Sequence, residues 1–368
     1  MTADGGSRRP GRSSMANDAN LDDIVEPDAP ARKPWLTRRK LIGGAAALAV
    51  GGLAAGLWGR KQATHTASGL RKLRLAWNAT AICLAPALMA KEYGIYAKNG
   101  LDVELVNFAG STGQLLEAIS TDKADAGVGM IMRWIKPLEQ GFDVKLIAGT
   151  HGGCARMVGS RKAGITDDPK SLKGKTIGLS EISGTGRNTF SILLKAHGLD
   201  PDRDVTWRAY PQPLLAEAIR KGEVHAIADS DPILYIMQKQ SEGDLVEVMT
   251  NLTAPWQDRV CCVVGASGNL LRSEPETAKA LAVSLVSAAS LCAENPQAVA
   301  KVFAPYAKAS VEDIVWVLKS QTHSRHPVGR DLKGDISLYA GELRGVGVMR
   351  PTTVPADFAN HVVQDLFA

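Results

Sequence analysis

The two commonest sequence signatures of a zinc site are missing here: the chain holds no Cys-x-x-Cys pair and no His-Glu-x-x-His run. A phosphate loop is missing too, because Gly174-Lys175-Thr176 has Pro169 where that loop requires its first glycine. Gly184-Thr185-Gly186 lacks the third glycine of a dinucleotide-binding turn. Cysteine is scarce, with five in 368 residues, and the odd number excludes a fully paired disulfide framework. Basic charge is scarce where it would count. Of the formal net charge of +5, most sits in the first 66 residues, which carry ten Lys or Arg against six Asp or Glu; the rest has 33 basic and 32 acidic side chains. So nearly neutral a remainder excludes the basic footprint of a nucleic-acid binder. No pattern requires a cofactor, and none is expected.

What is present describes a folded protein of more than one domain. Hydrophobic residues make up 45% and charged residues 22%, a globular balance, and 368 residues exceed what one core of ordinary size organises. Residues 1–34 are polar and aperiodic and read as disordered. Thr37-Arg38-Arg39-Lys40 then precedes a run from Leu41 to Trp58 rich in Ala, Gly and Leu. Twin arginines before a mildly apolar segment form an export signal of the twin-arginine type. Residues 1–66 are therefore expected to be leader plus signal, and the protein to reside in the periplasm, tethered to the membrane if the signal stays uncleaved.

From Leu70 short apolar runs alternate with helical periods. Lys72–Trp77, Asp102–Phe108, Ala126–Met130 and Val144–Ala148 read as strands, with helices between them over Ala85–Asn99, Ser111–Thr121 and Met132–Gln140. A second series starts near Ser171. Its expected strands are Lys175–Leu179, Asp204–Tyr210, His225–Ala228 and Leu245–Met249, and its helices Gly186–His197, Pro213–Lys221 and Asp231–Gln240. After a short strand at Val260–Ala266 the chain turns helical. Such alternation predicts α/β lobes with mostly parallel sheets. The return strand predicts a discontinuous arrangement: lobe 1 from residues 70–158 and 262–368, lobe 2 from residues 159–261, and crossing strands near Arg156–Ser160 and Val260–Ala266. Two crossings make a hinge, and the cleft beside it a ligand site.

Several segments resemble one family. Leu172-Lys173-Gly174-Lys175-Thr176-Ile177-Gly178 resembles the entry into the second domain of bacterial periplasmic binding proteins. Ser183-Gly184-Thr185-Gly186, leading into Phe190–Asp200, is similar to the small-residue turn and helix of the nitrate/sulfonate/taurine group. Ala87–Tyr96 with Gly100–Leu105, and Ala118–Gly127, resemble two further motifs of that group, so the likeness spans roughly residues 72–350. His151-Gly152-Gly153-Cys154 departs from the commoner pattern. The resemblance implies a two-domain Venus-flytrap (type II) fold with two hinge strands and a C-terminal helical segment. It further implies a monomeric, non-enzymatic solute-binding component of an ABC importer, which takes a small organic anion of the sulfonate, nitrate or taurine kind and delivers it to a permease in the inner membrane. An enzyme or sensor of the pyrimidine-precursor type on the same fold is the alternative.

In open α/β sheets ligands bind beyond the carboxyl ends of the strands. That rule selects Trp77 and Asn78, Ser111 and Thr112, Met132 with Arg133, and His151 in the first series, and Ser183, Gly184, Thr185 and Arg187, Tyr210, Asp229 and Asp231 in the second. A small-residue turn before a helix offers unpaired N–H groups to an anion, although Ser and Thr also serve there as ordinary caps. Arg133 and Arg187 could fork onto a carboxylate or sulfonate. Asp229 points the other way, toward an amine or hydroxyl. Three readings of the cysteines stand side by side: buried apolar thiols, a disulfide between Cys154 and Cys261 or Cys262, and a soft-metal site of His151, Cys154 and one of that pair.

Overall fold

The computed structural model describes residues 65–108, 112–321 and 325–368. Residues 1–64 of the expected leader and signal, and Ser111, lie outside the described residues.

The first series builds β1 (Arg71–Trp77), α1 (Ala85–Glu92), α2 (Ile95–Lys98), β2 (Leu101–Asn107), α3 (Thr112–Ser120), β3 (Ala126–Met130), α4 (Ile131–Glu139) and β4 (Val144–His151). The second builds β5 (Ala155–Ser160), β6 (Lys175–Leu179), α5 (Thr185–Ala196), β7 (Val205–Ala209), α6 (Leu215–Arg220), β8 (Ala226–Ser230), α7 (Ile233–Gln240) and β9 (Leu245–Thr250). The chain then returns through β10 (Cys262–Ser267) and ends in helices α8 (Gly268–Ser273), α9 (Pro275–Glu294), α10 (Pro296–Ala307), α11 (Val311–Ser320), α12 (Gly329–Gly345) and α13 (Pro355–Val362). The helix expected over Ala85–Asn99 is broken in two, because Gly94 adopts φ 64°, a left-handed conformation open to glycine but ending an α-helix.

Two five-stranded sheets result, ordered β2-β1-β3-β10-β4 and β7-β6-β8-β5-β9. The orders are equivalent strand for strand. β1 runs parallel to β2 and β3, while β10 lies antiparallel to both β3 and β4. In the second sheet β6 runs parallel to β7 and β8, while β5 lies antiparallel to both β8 and β9. In each sheet the antiparallel strand is the first one laid down after the chain arrives from the other sheet. The crossings themselves are residues 152–154 and 251–261, immediately before β5 and β10, so the strands expected to form the hinge lie inside the sheets. They touch: a Cβ on Gly153 would stand 2.1 Å from the Asn251 carbonyl oxygen, Ala155 N–H donates to Asn251 Oδ1 (2.7 Å), and Cys261 N–H donates to the His151 carbonyl (2.9 Å).

Each sheet is covered on both faces. On the first, one face packs against α1 and α9 through Leu73, Leu75, Leu281 and Leu285; the other packs against α3, α4 and α12 through Leu115, Trp134 and Ile336. Trp134 is wholly buried over β3 and β10. It fits because Gly129 and Gly265 lie beneath it, where a Cβ would come within 2.4 and 2.7 Å of its ring. On the second sheet Phe190, Leu193 and Leu194 of α5 fill one face, and Leu215, Ile219 and Leu234 the other. Each such side chain contributes about 1.5–3 kcal/mol through burial.

Candidate functional site: a cleft with acidic walls

A cavity of about 440 Å³ opens where the carboxyl ends of both sheets meet, lined by Asn78, Thr80 and Met130 from the first and by Glu181, Thr185 and Asp229 from the second, among others. A larger cavity of about 630 Å³ is lined by residues 160–245 alone. The smaller one is the candidate, because only it draws on both sheets and so couples ligand contact to their closure.

At the end of β1 the side chain of Asn78 folds back on its own turn, Oδ1 accepting from Thr80 N–H (2.9 Å) and Thr80 Oγ1 (2.8 Å). Trp77 is buried in the core with its ring edge-on to Tyr306. Thr112 is the first residue of α3. Met132 is buried, and its carbonyl accepts from Asn188 Nδ2 of α5 (2.8 Å), a bond between the two sheets' helices. Arg133 next to it donates to the Ser183 carbonyl and to Glu181. These contacts hold the two walls together.

On the second sheet the turn after β6 positions the site. Gly184 is the N-cap of α5, with no side-chain cap, and Gly186 permits the helix start to lie against β8, since a Cβ there would stand 2.7 Å from the Ala228 carbonyl oxygen. Gly184, Thr185 and Gly186 line the cavity, and Thr185 Oγ1 is buried without a hydrogen-bond partner. The first-turn N–H groups and the positive end of a twelve-residue helix therefore face the cleft. Ser183 is exposed and does not line the cavity. Arg187 is directed elsewhere, stacked on Trp207 at 4.6 Å and paired with Asp202.

The charged groups on the cavity wall are acidic. Asp229 Oδ1 accepts from Ser230 N–H (2.8 Å), while Oδ2 is out of reach of solvent and makes no hydrogen bond of normal geometry. Burial pushes its pKa above the usual carboxylate value, tempered by the Ser230 amide and the nearby Ser180 and Gln212 side chains. Glu181 is also raised, by burial first and by the Asp229 charge, against the lowering pull of Arg133. Asp231 is already satisfied: it accepts from Arg156 Nε (2.7 Å) and caps α7 through Tyr235 N–H (3.2 Å). Arg156 also pairs with Glu247 and lies 5.1 Å from the Trp316 ring.

Of the residues expected from sequence, Asn78, Gly184, Thr185 and Asp229 come together in the cavity. Trp77, Met132, Ser183, Arg187 and His151 do not line it. Glu181 was missed, although it stands two residues past the end of β6, where the strand-end rule points. Gln212 was missed as well, since nothing in a polar loop residue marks it for a cavity, whereas Thr80 and Ser230 fall in the strand-end segments that begin at Trp77 and Asp229.

The sequence pattern of the NMT1/THI5-like family matches residues 82–299, well over half of the chain. The chain belongs to this family. Among curated relatives, this NMT1/THI5-like protein is 26% identical over 245 residues to the bicarbonate transport ATP-binding protein CmpC of a Synechocystis strain, covering 61% of this chain and 36% of that one. It is 32% identical over 130 residues to 4-amino-5-hydroxymethyl-2-methylpyrimidine phosphate synthase of Uromyces fabae, covering 34% of this chain and 36% of that one. The chain thus spans about a third of the length of the curated relatives it matches. In structure it is similar to the alkanesulfonate-binding protein SsuA of Xanthomonas axonopodis pv. citri, with a TM-score of 0.66 at 16% identity over 80% of this chain and 99% of that one. The NMT1/THI5-like chain therefore has the fold of the periplasmic solute-binding proteins.

Proposed function

We propose that this protein is the extracytoplasmic solute-binding component of an ABC importer, which closes its two lobes over a small solute and presents it to an inner-membrane permease. The observation that carries the reading is the cavity shared by both sheets, together with the Asn188–Met132 and Arg133–Ser183 contacts that join the two lobes. A solute there completes the closed form, and closure is what a permease can sense. The fold likeness supports the same reading. The cysteines and His151, on which an enzymatic reading would draw, are buried and do not line the cavity.

The acidic wall refines the expected organic anion. A sulfonate or carboxylate suits the α5 N-terminus at Gly184–Gly186, yet an anion alone would leave Asp229 Oδ2 without a hydrogen bond of normal geometry, at a cost of about 1–3 kcal/mol. The solute that fits both features is a small zwitterion of the taurine kind, its acidic group on the α5 amides and its protonated amine between Asp229 and Glu181. Calorimetric titration with 2-aminoethanesulfonate, ethanesulfonate and ethylamine tests this. The aminosulfonate should bind, and loss of the amine should weaken binding about 10–100-fold, the worth of one charge-assisted bond. Equal binding of ethanesulfonate would refute the role of Asp229. A thermal-shift screen of small zwitterions, organic anions and amines in which nothing raises the melting temperature would refute solute capture.

A further inference from the structure

Behind the cleft, where the two crossings meet the first sheet, four thiols and one imidazole form a closed group. Cys83 stands in the 3₁₀ turn Ile82–Leu84 after β1, His151 ends β4, Cys154 ends the first crossing, Cys261 ends the second, and Cys262 opens β10. All are buried, with exposures of 5% for Cys261 and 0% for the other four. The donor atoms of Cys83, His151 and Cys154 lie within 4.8 Å of one another, as do those of His151, Cys261 and Cys262. Cys154 Sγ and Cys261 Sγ, one from each crossing, are 3.1 Å apart, and no pair is joined as a disulfide. The remaining cysteine, Cys292 in α9, stands outside the group.

Buried thiols scattered through a core are ordinary. Four converging on one imidazole, supplied by three separate stretches of chain, are not explained by packing alone. Nor is a disulfide sufficient, since one bridge would use two sulfurs and leave two more beside the imidazole. We propose that this cluster binds a thiophilic d10 metal ion, zinc or cuprous copper, with His151 as the shared nitrogen ligand and sulfur ligands from both crossings. Electroneutrality favours that chemistry in an apolar interior. Two thiolates and a neutral imidazole cancel the charge of Zn²⁺, and one thiolate cancels that of Cu⁺, each ligand thiol giving up its proton on binding. Oxygen-seeking ions such as magnesium or calcium find no ligands here. An ion held from both crossings would fix the hinge. It would reach the cleft through the Cys154 carbonyl, which accepts from Asp231 N–H (3.0 Å) beside Asp229.

The test uses the full chain, purified anaerobically with its thiols reduced, and reads metal content by mass spectrometry after titration with zinc or with chelator-buffered cuprous ion. About one equivalent of one ion is expected. Cobalt, used as a spectroscopic probe of the zinc arm, should give a thiolate-to-metal charge-transfer band. The variants Cys154→Ser and Cys261→Ser should lose the bound ion and the band, and Cys292→Ser should keep both. Near-native circular dichroism must accompany each loss; Cys83→Ala and Cys262→Ala serve if a serine variant unfolds. Failure of the reduced wild-type chain to retain zinc or cuprous ion would overturn the proposal, as would retention undiminished in every cluster variant. The rate of thiol modification gives a second readout: a bound ion should slow modification of the cluster thiols in the wild type, and an unchanged rate would also overturn the site.

Discussion

The two sheets share one strand order and one antiparallel intruder, yet they contribute differently to the cleft. The first sheet supplies neutral groups: Asn78, Thr80 and Met130. The second supplies a helix N-terminus and the carboxylates Glu181 and Asp229. The charged side chains that line the cavity are thus on one lobe, and in the proposed function the other is the wall that closes on them. The cation from the first lobe that reaches across, Arg133, is engaged by Glu181 and the Ser183 carbonyl, so it works as a clasp.

Breaking the second lobe should therefore cost most. Asp231→Ala leaves the Arg156 guanidinium, whose side chain is 8% exposed, with Glu247 as its remaining acidic partner, and should lower stability by about 3 kcal/mol in denaturant unfolding. Asp229→Asn should weaken the binding of an aminated solute about 10–100-fold while changing the fold little. The same variant sharpens a pH effect. Because the folded-state pKa of Asp229 lies above its ordinary 3.8, the folded chain holds that proton more tightly than the unfolded one. The stability this gives the ligand-free protein is present at acid pH and lost as pH rises through the raised value. A melting-temperature profile against pH should show that decline in the wild type and lack this contribution in the variant; identical profiles would contradict it.

Between the two lobes Tyr235 of α7 stacks on Trp316 of α11 at 4.0 Å. Trp316→Ala should loosen closure and reduce solute affinity about 2–10-fold, in line with 0.5–1.5 kcal/mol for an aromatic pair, with a measurable increase in the scattering radius of the liganded form. The neighbouring Lys239–Asp313 ion pair is exposed on the lysine side and should matter least: Lys239→Ala should leave affinity unchanged at physiological salt.

Much of this architecture is legible in the residues, and the reason is local. Strands such as Lys175–Leu179 and helices such as Thr185–Ala196 are short apolar runs and amphipathic periods bounded by glycine, and they form within a residue or two of where the pattern places them. What is not legible is tertiary. No local feature says that β5 and β10 insert antiparallel into the middle of a sheet, because their apolar runs would suit any buried strand. The site divides the same way. Thr185 and Asp229 follow from strand ends, whereas Arg187 looks like an anion ligand until Trp207 and Asp202, distant in pattern, are seen to hold it.

The twice-crossing chain also sets an order of assembly. All the strands of the second sheet lie between residues 155 and 250, an unbroken stretch, whereas the first sheet has to wait for residues 262–267 to fill the gap between β3 and β4. During synthesis the lobe that starts first must be finished last. Until then its β3 and β4 edges are open, and the inserted lobe is already complete beside them.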